Sequence, residues 1–374
     1  MNVPCAAGAE TMSVFGCEVF DDHEQVVFCC DRDTGLHAII AIHDTTLGPA
    51  LGGCRYWPYL NEAQALEDVL RLSRGMTYKA AMARLPLGGG KSVILGDPKR
   101  TKSRELLLTF GEAVGRLGGR YIVAEDVGTT ADDMATVRRV TRHVAGLPGA
   151  RGAGDPGPTT ALGVLHGIHA AVRHKLGRAS LKGCSVAVQG LGSVGYRLCQ
   201  LLHSEGAHLI VADIDRSRVE RARKELSAKP SEPEAIFEVE ADVFAPCALG
   251  SVLDDRTIPR LRAAIVAGSA NNQLAEDRHG ELLRSRGILY APDYVINAGG
   301  LISVAREALG REGSGYERER VLAEVAGIEE ALQEMFDRAD KDQLPTNVVA
   351  DRMAEERLAA AGLPGTRLAR PATG

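Results

Sequence analysis

Three residues in the first third of the chain are of types that can move protons: Lys79, Lys91 and Asp126. The lysines stand twelve residues apart in the segment MTYKAAMARLPLGGGKSVI, and Lys91 follows a run of three glycines. Burial or a neighbouring positive charge lowers the pKa of a lysine, and a lysine near neutrality can act as a general base. A second, charged lysine can hold a substrate carboxylate, and glycines 88–90 would let backbone or substrate come close to Lys91. The competing interpretation is two solvated surface lysines.

Asp126 stands at the end of an apolar strand, YIVAE, where α/β sheets usually carry functional residues. A carboxylate near two ammonium groups can bind a substrate amine and carry its proton. The competing interpretation makes Asp126 the N-cap of the next helix. Thr130 or Asp132 can fill that role instead, which leaves Asp126 available for chemistry.

A second motif, VAVQGLGSVG, places Gly190, Gly192 and Gly195 in G-x-G-x-x-G spacing between an apolar strand and a helix. Such glycines permit a tight turn, the approach of a pyrophosphate and close helix packing. The next strand ends at Asp213, 23 residues after Gly190, close to the spacing expected of an acid on the adenosine ribose. That carboxylate and Asp215 repel a 2′-phosphate, with Arg216 as a counterweight, so we expect NAD rather than NADP. The competing interpretation is a glycine turn without a ligand.

Composition excludes several classes of function. A net charge of −5 over 374 residues offers no basic field for nucleic acid. No run of eighteen apolar residues predicts a membrane span, and the N-terminus lacks a secretion signal, so we expect a cytoplasmic protein. Eight cysteines without a CxxC pair indicate buried thiols and no metal site.

The elements that must position these residues alternate between strand and helix. The runs QVVFCC, HAIIAIH and KSVILG predict strands, and NEAQALEDVLRLSRGMTYKAAMARL, with Asn61 as N-cap, predicts a long helix. In the second half, five strand candidates end with the segment GILYAPDYVINAGG. This alternation predicts an α/β protein with two domains. We expect a substrate and oligomerisation domain over 1–147 and a Rossmann-type NAD-binding domain over 148–341, with a cleft between them. The Gly- and Pro-rich segment GLPGARGAGDPGP marks the boundary. A last helix at about 342–365 is expected to pack back on the first domain.

Several motifs in a fixed order extend this interpretation over roughly residues 20–360: TTLGPALGG, RLSRGMTYKAAMARLPLGGGKSVILGDP, GRYIVAEDVGTT, VAVQGLGSVG, DVFAPCALG, AGSANNQL and YAPDYVINAGGLISV. With them the sequence resembles the leucine, phenylalanine and valine dehydrogenases of the glutamate dehydrogenase superfamily. The resemblance implies oxidative deamination of an apolar L-amino acid to a 2-oxo acid and ammonia, with NAD. It also implies a homo-oligomer.

The resemblance assigns roles residue by residue. It implies that Lys79 binds the substrate carboxylate and that Lys91 and Asp126 are catalytic. Gly52 and Gly53 match the glycines beside that carboxylate. The positions that match the cofactor side, or its border with substrate, are Thr160, Gly190, Leu191, Gly192, Ser193, Val194, Gly195, Asp213, Ala248, Asn271 and Asn272.

Substrate choice rests on three apolar positions. Glutamate dehydrogenases carry a lysine before the paired glycines, where this chain has Leu51, and a hydroxyl where it has Val304. Leu301, in the pocket wall, stands where valine is frequent in leucine dehydrogenases; Cys54 and Arg306 also depart from them. We expect leucine, valine or isoleucine as substrate. An aromatic amino acid and a catalytically inactive NAD-binding protein are the alternatives.

Overall fold

The computed structural model describes residues 13–147, 154–248, 250–310 and 317–362. The chain divides into two compact units. One holds the residues up to 77 together with 88–144, and the other holds 78–87 and the residues from 145 onwards. The domain limits stated from the sequence and the placement of the last helix on the first domain remain predictions.

The first unit contains a five-stranded sheet in the order β1-β2-β4-β3-β5. Its strands are β1 (Gln25–Asp31), β2 (Leu36–Asp44), β3 (Ala50–Trp57), β4 (Gly88–Leu95) and β5 (Tyr121–Glu125). Helices α1 (Glu62–Met82), α2 (Arg104–Arg116) and α3 (Ala131–Val137) accompany it. β1 and β4 run antiparallel to β2, whereas β3 runs parallel to both β4 and β5.

The predicted strand HAIIAIH is apolar from Ala38 to Ile42 because helices cover both faces of β2. Ile39 and Ala41 pack with residues 65–70 of α1 in one buried cluster. The intervening Ile40 and Ile42 are equally buried, on the face against which α2 packs. As predicted, Asn61 caps α1, its side chain accepting the N–H of Gln64.

One central strand was not predicted. β3 has the sequence ALGGCRYW, and its two glycines weaken the local preference for a strand. It forms because β4 and β5 pair with it on either side, a long-range interaction that leaves no local pattern. The glycine run before Lys91 is likewise part of β4 rather than a loop.

The second unit contains a six-stranded, fully parallel sheet in the order β11-β10-β9-β6-β7-β8. The strands are β6 (Ser185–Gln189), β7 (His208–Ala212), β8 (Lys229–Pro230), β9 (Val243–Pro246), β10 (Ile265–Val266) and β11 (Leu289–Tyr290). Its helices are α4 (Gly157–Leu176), α5 (Ser193–Ser204), α6 (Arg216–Leu226), α7 (His279–Ser285), α8 (Asp293–Ile296), α9 (Gly299–Leu309), α10 (Arg318–Asp342) and α11 (Thr346–Gly362). Counted along this unit, the strand order is the 3-2-1-4-5-6 of dinucleotide-binding sheets, which confirms the predicted Rossmann-type domain.

Two details of this unit differ from the prediction. The short edge strand β8 was missed, since two residues carry no pattern. Only the beginning of the segment GILYAPDYVINAGG is a strand, and the rest forms α8 and the start of α9. Among the described residues, no helix is long and apolar enough to cross a membrane.

The last helix holds the end of α1, where Lys79 lies. Arg357 of α11 donates to the carbonyl oxygens of Ala81 and Met82 at 3.0 and 2.9 Å. The Tyr78 hydroxyl donates to Glu355 at 3.1 Å. The two bonds from Arg357 reach carbonyl groups in the last turn of α1, where helical partners run out.

Candidate active site

The predicted catalytic lysine and aspartate are in contact within the first unit. Lys91 lies on β4 and Asp126 follows β5, and Lys91 Nζ is 2.7 Å from Asp126 Oδ2. The Lys91 side chain is only 8% exposed, so it is not a solvated surface lysine. A buried charge that loses its partner is strongly destabilising, which keeps the two groups together.

Gly53 explains how Asp126 reaches Lys91. β3 lies between β4 and β5, so the aspartate must extend across it. A Cβ atom on Gly53 would lie 2.7 Å from Asp126 Cβ, closer than two side chains can approach. Thr129 fixes the turn, because its hydroxyl accepts the N–H of Asp126 at 2.9 Å. Thr130 is the N-cap of α3, so Asp126 is not the cap.

Asp126 remains a carboxylate. Burial alone would raise its pKa, but the charges of Lys91 and Arg55 and a hydrogen bond from the N–H of Val127 outweigh burial and hold the pKa of Asp126 below its usual value. Arg55 Nε donates to the same Oδ2 atom at 3.3 Å. Arg55 was not singled out from the sequence.

Glycines 88–90 make room for protein neighbours. A Cβ atom on Gly89 would lie 2.0 Å from the backbone nitrogen of Thr77, and one on Gly90 would lie 2.8 Å from the Tyr121 ring. A Cβ atom on Gly52 would lie 1.7 Å from the carbonyl oxygen of Gly90. The glycines therefore let α1 and the adjacent strand pack directly on β4. The part of the expectation that gave this space to substrate is not supported.

In the second unit, Lys79 is bonded to a residue that sequence reasoning missed. Its Nζ donates to Asn297 Oδ1 at 2.6 Å. Asn297 Nδ2 in turn donates to Asn271 Oδ1 at 2.8 Å and to the carbonyl oxygen of Ser269 at 3.1 Å. Asn297 is 3% exposed. A lone amide inside the apolar run YVINAGG was the available signal, and Asn297 links Lys79 to Asn271 on the expected cofactor side.

The neighbouring Asn272 is held in a left-handed conformation, with φ at +50°. Its backbone N–H donates to Asp293 Oδ2 at 2.6 Å, and the Tyr290 hydroxyl donates to Asp293 Oδ1 at 3.1 Å. Burial raises the pKa of Asp293 despite these bonds and the nearby charge of Lys79. Asp293 thus fixes the 271–272 turn.

The glycine loop has the geometry expected of a phosphate-binding turn. Gly190 has φ at +94°, which favours glycine, and a Cβ atom there would lie 2.7 Å from Ala248 Cβ. A Cβ atom on Gly195 would lie 2.0 Å from the carbonyl oxygen of Gly190, so α5 starts directly against the turn. Asp213 Oδ2 accepts the N–H of Leu191 at 2.6 Å, which ties the acid to the loop.

These residues fit NAD. A Cβ atom on Gly192 would meet nothing within 4 Å, and in this described segment no side chain caps α5. The first N–H groups of Ser193, Val194 and Gly195 can therefore face a pyrophosphate. Asp213 keeps lone pairs for ribose hydroxyls after accepting two backbone N–H groups. Its nearest cation is Arg218, at 3.8 Å, rather than the Arg216 considered from the sequence.

The remaining predicted positions lie on defined elements. Thr160 is in the first turn of α4, where its hydroxyl donates to the carbonyl oxygen of Pro156 at 2.9 Å. Leu301 and Val304 lie on α9, buried and half-buried. Leu51 lies in β3 of the first unit and is 1% exposed. The structure brings none of these four into the hydrogen-bonded groups described above.

The dinucleotide-binding sheet of the second unit and the lysine–aspartate pair of the first are features expected of one class of protein, the nicotinamide-dependent dehydrogenases. Comparison with known proteins identifies the family within this class. Residues 23–143 match the model of the Glu/Leu/Phe/Val dehydrogenase dimerisation domain, and residues 211–363 match that of the Glutamate/Leucine/Phenylalanine/Valine dehydrogenases. The chain belongs to this family.

Three relatives illustrate the range of similarity. The chain is 54% identical to leucine dehydrogenase of Geobacillus stearothermophilus, over 90% of its length and 91% of the relative. It is 49% identical to phenylalanine dehydrogenase of Bacillus thermotolerans, over 92% and 91%. The crystal structure of L-tryptophan dehydrogenase from Nostoc punctiforme superposes with a TM-score of 0.81 and 45% identity, over 91% of this chain and 97% of that one.

Membership confirms the predictions of a two-domain α/β fold and of an oxidoreductase that acts on CH–NH2 groups with NAD as cofactor.

Proposed function

We propose that this enzyme catalyses the reversible oxidative deamination of L-leucine, and of L-valine and L-isoleucine. One amino acid, NAD⁺ and water give one 2-oxo acid, ammonium, NADH and a proton. The observation that carries the proposal is the enclosed Lys91–Asp126 pair, with 2.7 Å between Nζ and Oδ2. Identity of 54% to a leucine dehydrogenase supports the choice of substrate.

Lys79 binds the substrate carboxylate in this proposal. Its ammonium is oriented by Asn297, whose amide is itself fixed by Asn271 and Ser269. A charge-assisted hydrogen bond from a pre-oriented donor contributes more than one from a mobile side chain. Gly52 and Gly53 lie beside the carboxylate, and Asn272 lies at the border of substrate and cofactor.

Lys91 and Asp126 carry the proton transfers. NAD, when bound, supplies the acceptor for the hydride that leaves the substrate Cα. Lys91, in its neutral form, takes a proton from the water that attacks the resulting iminium carbon. Asp126 moves protons to and from the substrate nitrogen as ammonia leaves. Burial of Lys91 and partial burial of Asp126 strengthen their interactions with the charges that develop.

The preference for an apolar substrate side chain rests on three uncharged residues. Leu51, Leu301 and Val304 offer no partner for a distal carboxylate. Burying the glutamate side chain against them would cost several kcal/mol, on the order of what an unpaired polar group loses on leaving water. Thr160, the 190–195 loop, Asp213 and Ala248 hold the cofactor in this proposal.

Initial rates of NADH formation test the proposal. With NAD⁺ and a panel of L-leucine, L-isoleucine, L-valine, L-phenylalanine, L-tryptophan and L-glutamate, we expect the highest kcat/KM for the branched chains and the lowest for glutamate. D-Leucine is the matched control and is expected to be inactive. A preference for the aromatic members would favour the second candidate, which the similarity to phenylalanine and tryptophan dehydrogenases supports. If none of the L-amino acids gave NADH, both the branched-chain and the aromatic candidate would be contradicted.

We further infer that the enzyme works as a homo-oligomer in the cytoplasm. The matched family model over residues 23–143 describes a dimerisation domain. The cysteines in the described ranges are free thiols, which fits a reducing compartment. Light scattering on the purified protein measures the mass of the assembly, and a monomeric mass would contradict the first inference.

A further inference from the structure

Arg55 connects the predicted proton-carrying aspartate to helix α1. It lies on β3, two residues beyond Gly53, and its guanidinium donates to two carboxylates at once. Nε is 3.3 Å from Asp126 Oδ2, and Nη1 is 2.8 Å from Asp68 Oδ2. The Arg55 side chain is 23% exposed and that of Asp68 13%. A planar guanidinium can bridge two acceptors in this way, whereas a lysine ammonium lacks the fork.

Asp68, which accepts the Nη1 hydrogen bond of Arg55, is itself held by other side chains. It lies on α1, and the Tyr59 hydroxyl donates to Asp68 Oδ2 at 2.7 Å. Burial and the hydrogen bond to Asp68 raise the pKa of Tyr59 far above its usual value, so this hydroxyl stays protonated and remains a donor. Arg71, mostly exposed, approaches Asp68 Oδ1 at 3.4 Å. Arg55 is therefore fixed at both ends of its guanidinium.

Arg55 and Lys91 share a single acceptor atom, Asp126 Oδ2. A carboxylate at 2.7 Å favours the ammonium form of a lysine, which opposes its action as a base. A second cation on the same oxygen offsets this effect in two ways. It withdraws negative charge from the contact with Lys91, and it repels the ammonium directly.

Two other titratable groups facing this cluster are neutral. Cys54 on β3 is enclosed, and burial raises the pKa of its thiol to about 12. Tyr121 on β5 is also enclosed, and burial raises the pKa of its hydroxyl well above the usual value. Lys102 and Asp133 form a separate pair at 2.7 Å. Lys91 is thus in contact with Asp126, which is bonded to Arg55, and Arg55 in turn is bonded to Asp68.

We propose that Arg55 is a positioning residue for the deamination. It holds Asp126 in place and weakens the attraction of that carboxylate for the Lys91 ammonium, so that Lys91 works as a base at lower pH. The proposal rests on the function proposed above. A purely structural role, a tie between β3 and α1, is the rival explanation.

The pH profile of kcat/KM for L-leucine separates the two. In Arg55→Met we expect the acidic limb to move up by about one pH unit, the lower end of shifts caused by a neighbouring charge. At pH values below the acidic limb, kcat/KM of Arg55→Met is then about 10-fold lower than that of wild type, and above the limb it returns towards the wild-type value. The substrate amine titrates in the same way with every variant, so it does not cause a difference between their pH profiles. Arg55→Lys, which keeps the charge, should restore much of the limb position.

Arg71→Met is the matched control. It removes a positive charge from the same Asp68 carboxylate but has no contact with Asp126. Its acidic limb should stay in place. A profile of Arg55→Met that superposes on wild type after scaling, or an equal shift in Arg71→Met, would overturn the proposal.

A second variant serves if Arg55→Met does not fold. Asp68→Asn keeps both cations and removes the carboxylate that partly neutralises Arg55, so its acidic limb should move to lower pH. An unchanged or upward limb would contradict the proposal. If wild type forms no NADH from any L-amino acid, the proposed function fails; if wild type is active and these limbs do not move as stated, only the role of Arg55 fails.

Discussion

At the scale of single residues, the reaction depends on two lysines with different surroundings. Lys91 is enclosed beside Asp126, whereas Lys79 is bonded to the neutral amide of Asn297. The amide of Asn297 orients the Lys79 ammonium without itself carrying a negative charge. The surroundings therefore agree with one lysine that anchors and one that reacts.

Lys91→Ala should lower kcat for L-leucine by about 10²- to 10⁴-fold, the usual contribution of a general acid–base group. Binding of NADH, followed by fluorescence titration, should stay unchanged. Lys102→Ala is the control, since it also breaks a 2.7 Å lysine–aspartate pair, with Asp133, in the same unit. It should reduce stability but keep kcat within a few-fold. A Lys91→Ala enzyme with more than about a tenth of wild-type kcat would rule out the assigned role.

Lys79→Ala should raise KM for L-leucine by about 10- to 100-fold, because it removes a charged hydrogen-bond donor worth roughly 1.5–3 kcal/mol. Asn297→Ala should raise KM less, since it removes only the orientation of that donor. Lys182→Ala, at an exposed site, is the control. Steady-state kinetics with saturating NAD⁺ measure all three. An unchanged KM in Lys79→Ala would place the carboxylate elsewhere.

At the scale of elements, the site depends on how closely β3 approaches its neighbours. Gly53→Ala should displace Asp126, because the new Cβ would lie 2.7 Å from both Asp126 Cβ and the carbonyl oxygen of Glu125. We expect a loss of at least 10-fold in kcat together with a lower free energy of unfolding, roughly 1–3 kcal/mol as in other overpacked sites.

Gly75→Ala is the matched control for this prediction. Gly75 is exposed on α1, and a Cβ atom there would meet nothing within 4 Å. The change should leave kcat unaltered and raise stability by up to about 1 kcal/mol, the helix-propensity difference between the two residues. Urea denaturation and initial rates measure both variants. Equal kcat in the two would show that Gly53 does not position Asp126.

Local patterns were sufficient for some elements and not for others. Apolar runs predicted β1, β2 and β4, and an N-cap with helical spacing predicted α1. The glycine loop and Asp213 could be placed because strand, turn and helix follow one another within thirty residues. A role for Asp126 beside the lysines was suggested by its place at the end of a strand and by the family resemblance, and its contact with Lys91 is seen only in the structure.

Other features could not be predicted from a local pattern. β3 is a strand only because two neighbours pair with it. The bridge from Asp68 through Arg55 to Asp126 joins three elements separated along the chain, and the bond from Lys79 to Asn297 spans 218 positions. Such contacts depend on packing, which a single sequence does not encode as a spacing.

At the scale of the whole molecule, buried histidines make stability depend on pH. His23 accepts the N–H of Asp21 on Nδ1, while Nε2 contacts the carbonyl oxygen of Leu70 and the hydroxyl of Ser73, an arrangement that suits the neutral ring. Burial lowers the pKa of His23 from 6.5 to about 4. The neutral form is therefore favoured more strongly in the folded protein than in the unfolded chain.

This group stabilises the fold fully above pH 6.5, and its contribution is lost as pH falls from about 6.5 towards 4. Between pH 8 and pH 5 the loss from His23 should be about 2 kcal/mol in the free energy of unfolding. Urea denaturation at several pH values measures it. His23→Gln should flatten the pH dependence by that amount, and the exposed His208→Gln should not. Identical pH dependence in wild type and His23→Gln would contradict the prediction; a residual slope from His43, whose pKa burial also lowers, is expected in all.

The most direct test of the whole account is the product balance with L-leucine and NAD⁺. The 2-oxo acid, ammonium and NADH are quantified in the same reaction at several times. We predict equal amounts of all three with the wild-type enzyme. NADH without ammonium would indicate another oxidation, and the absence of all three products from L-leucine and from every other apolar L-amino acid would contradict the account.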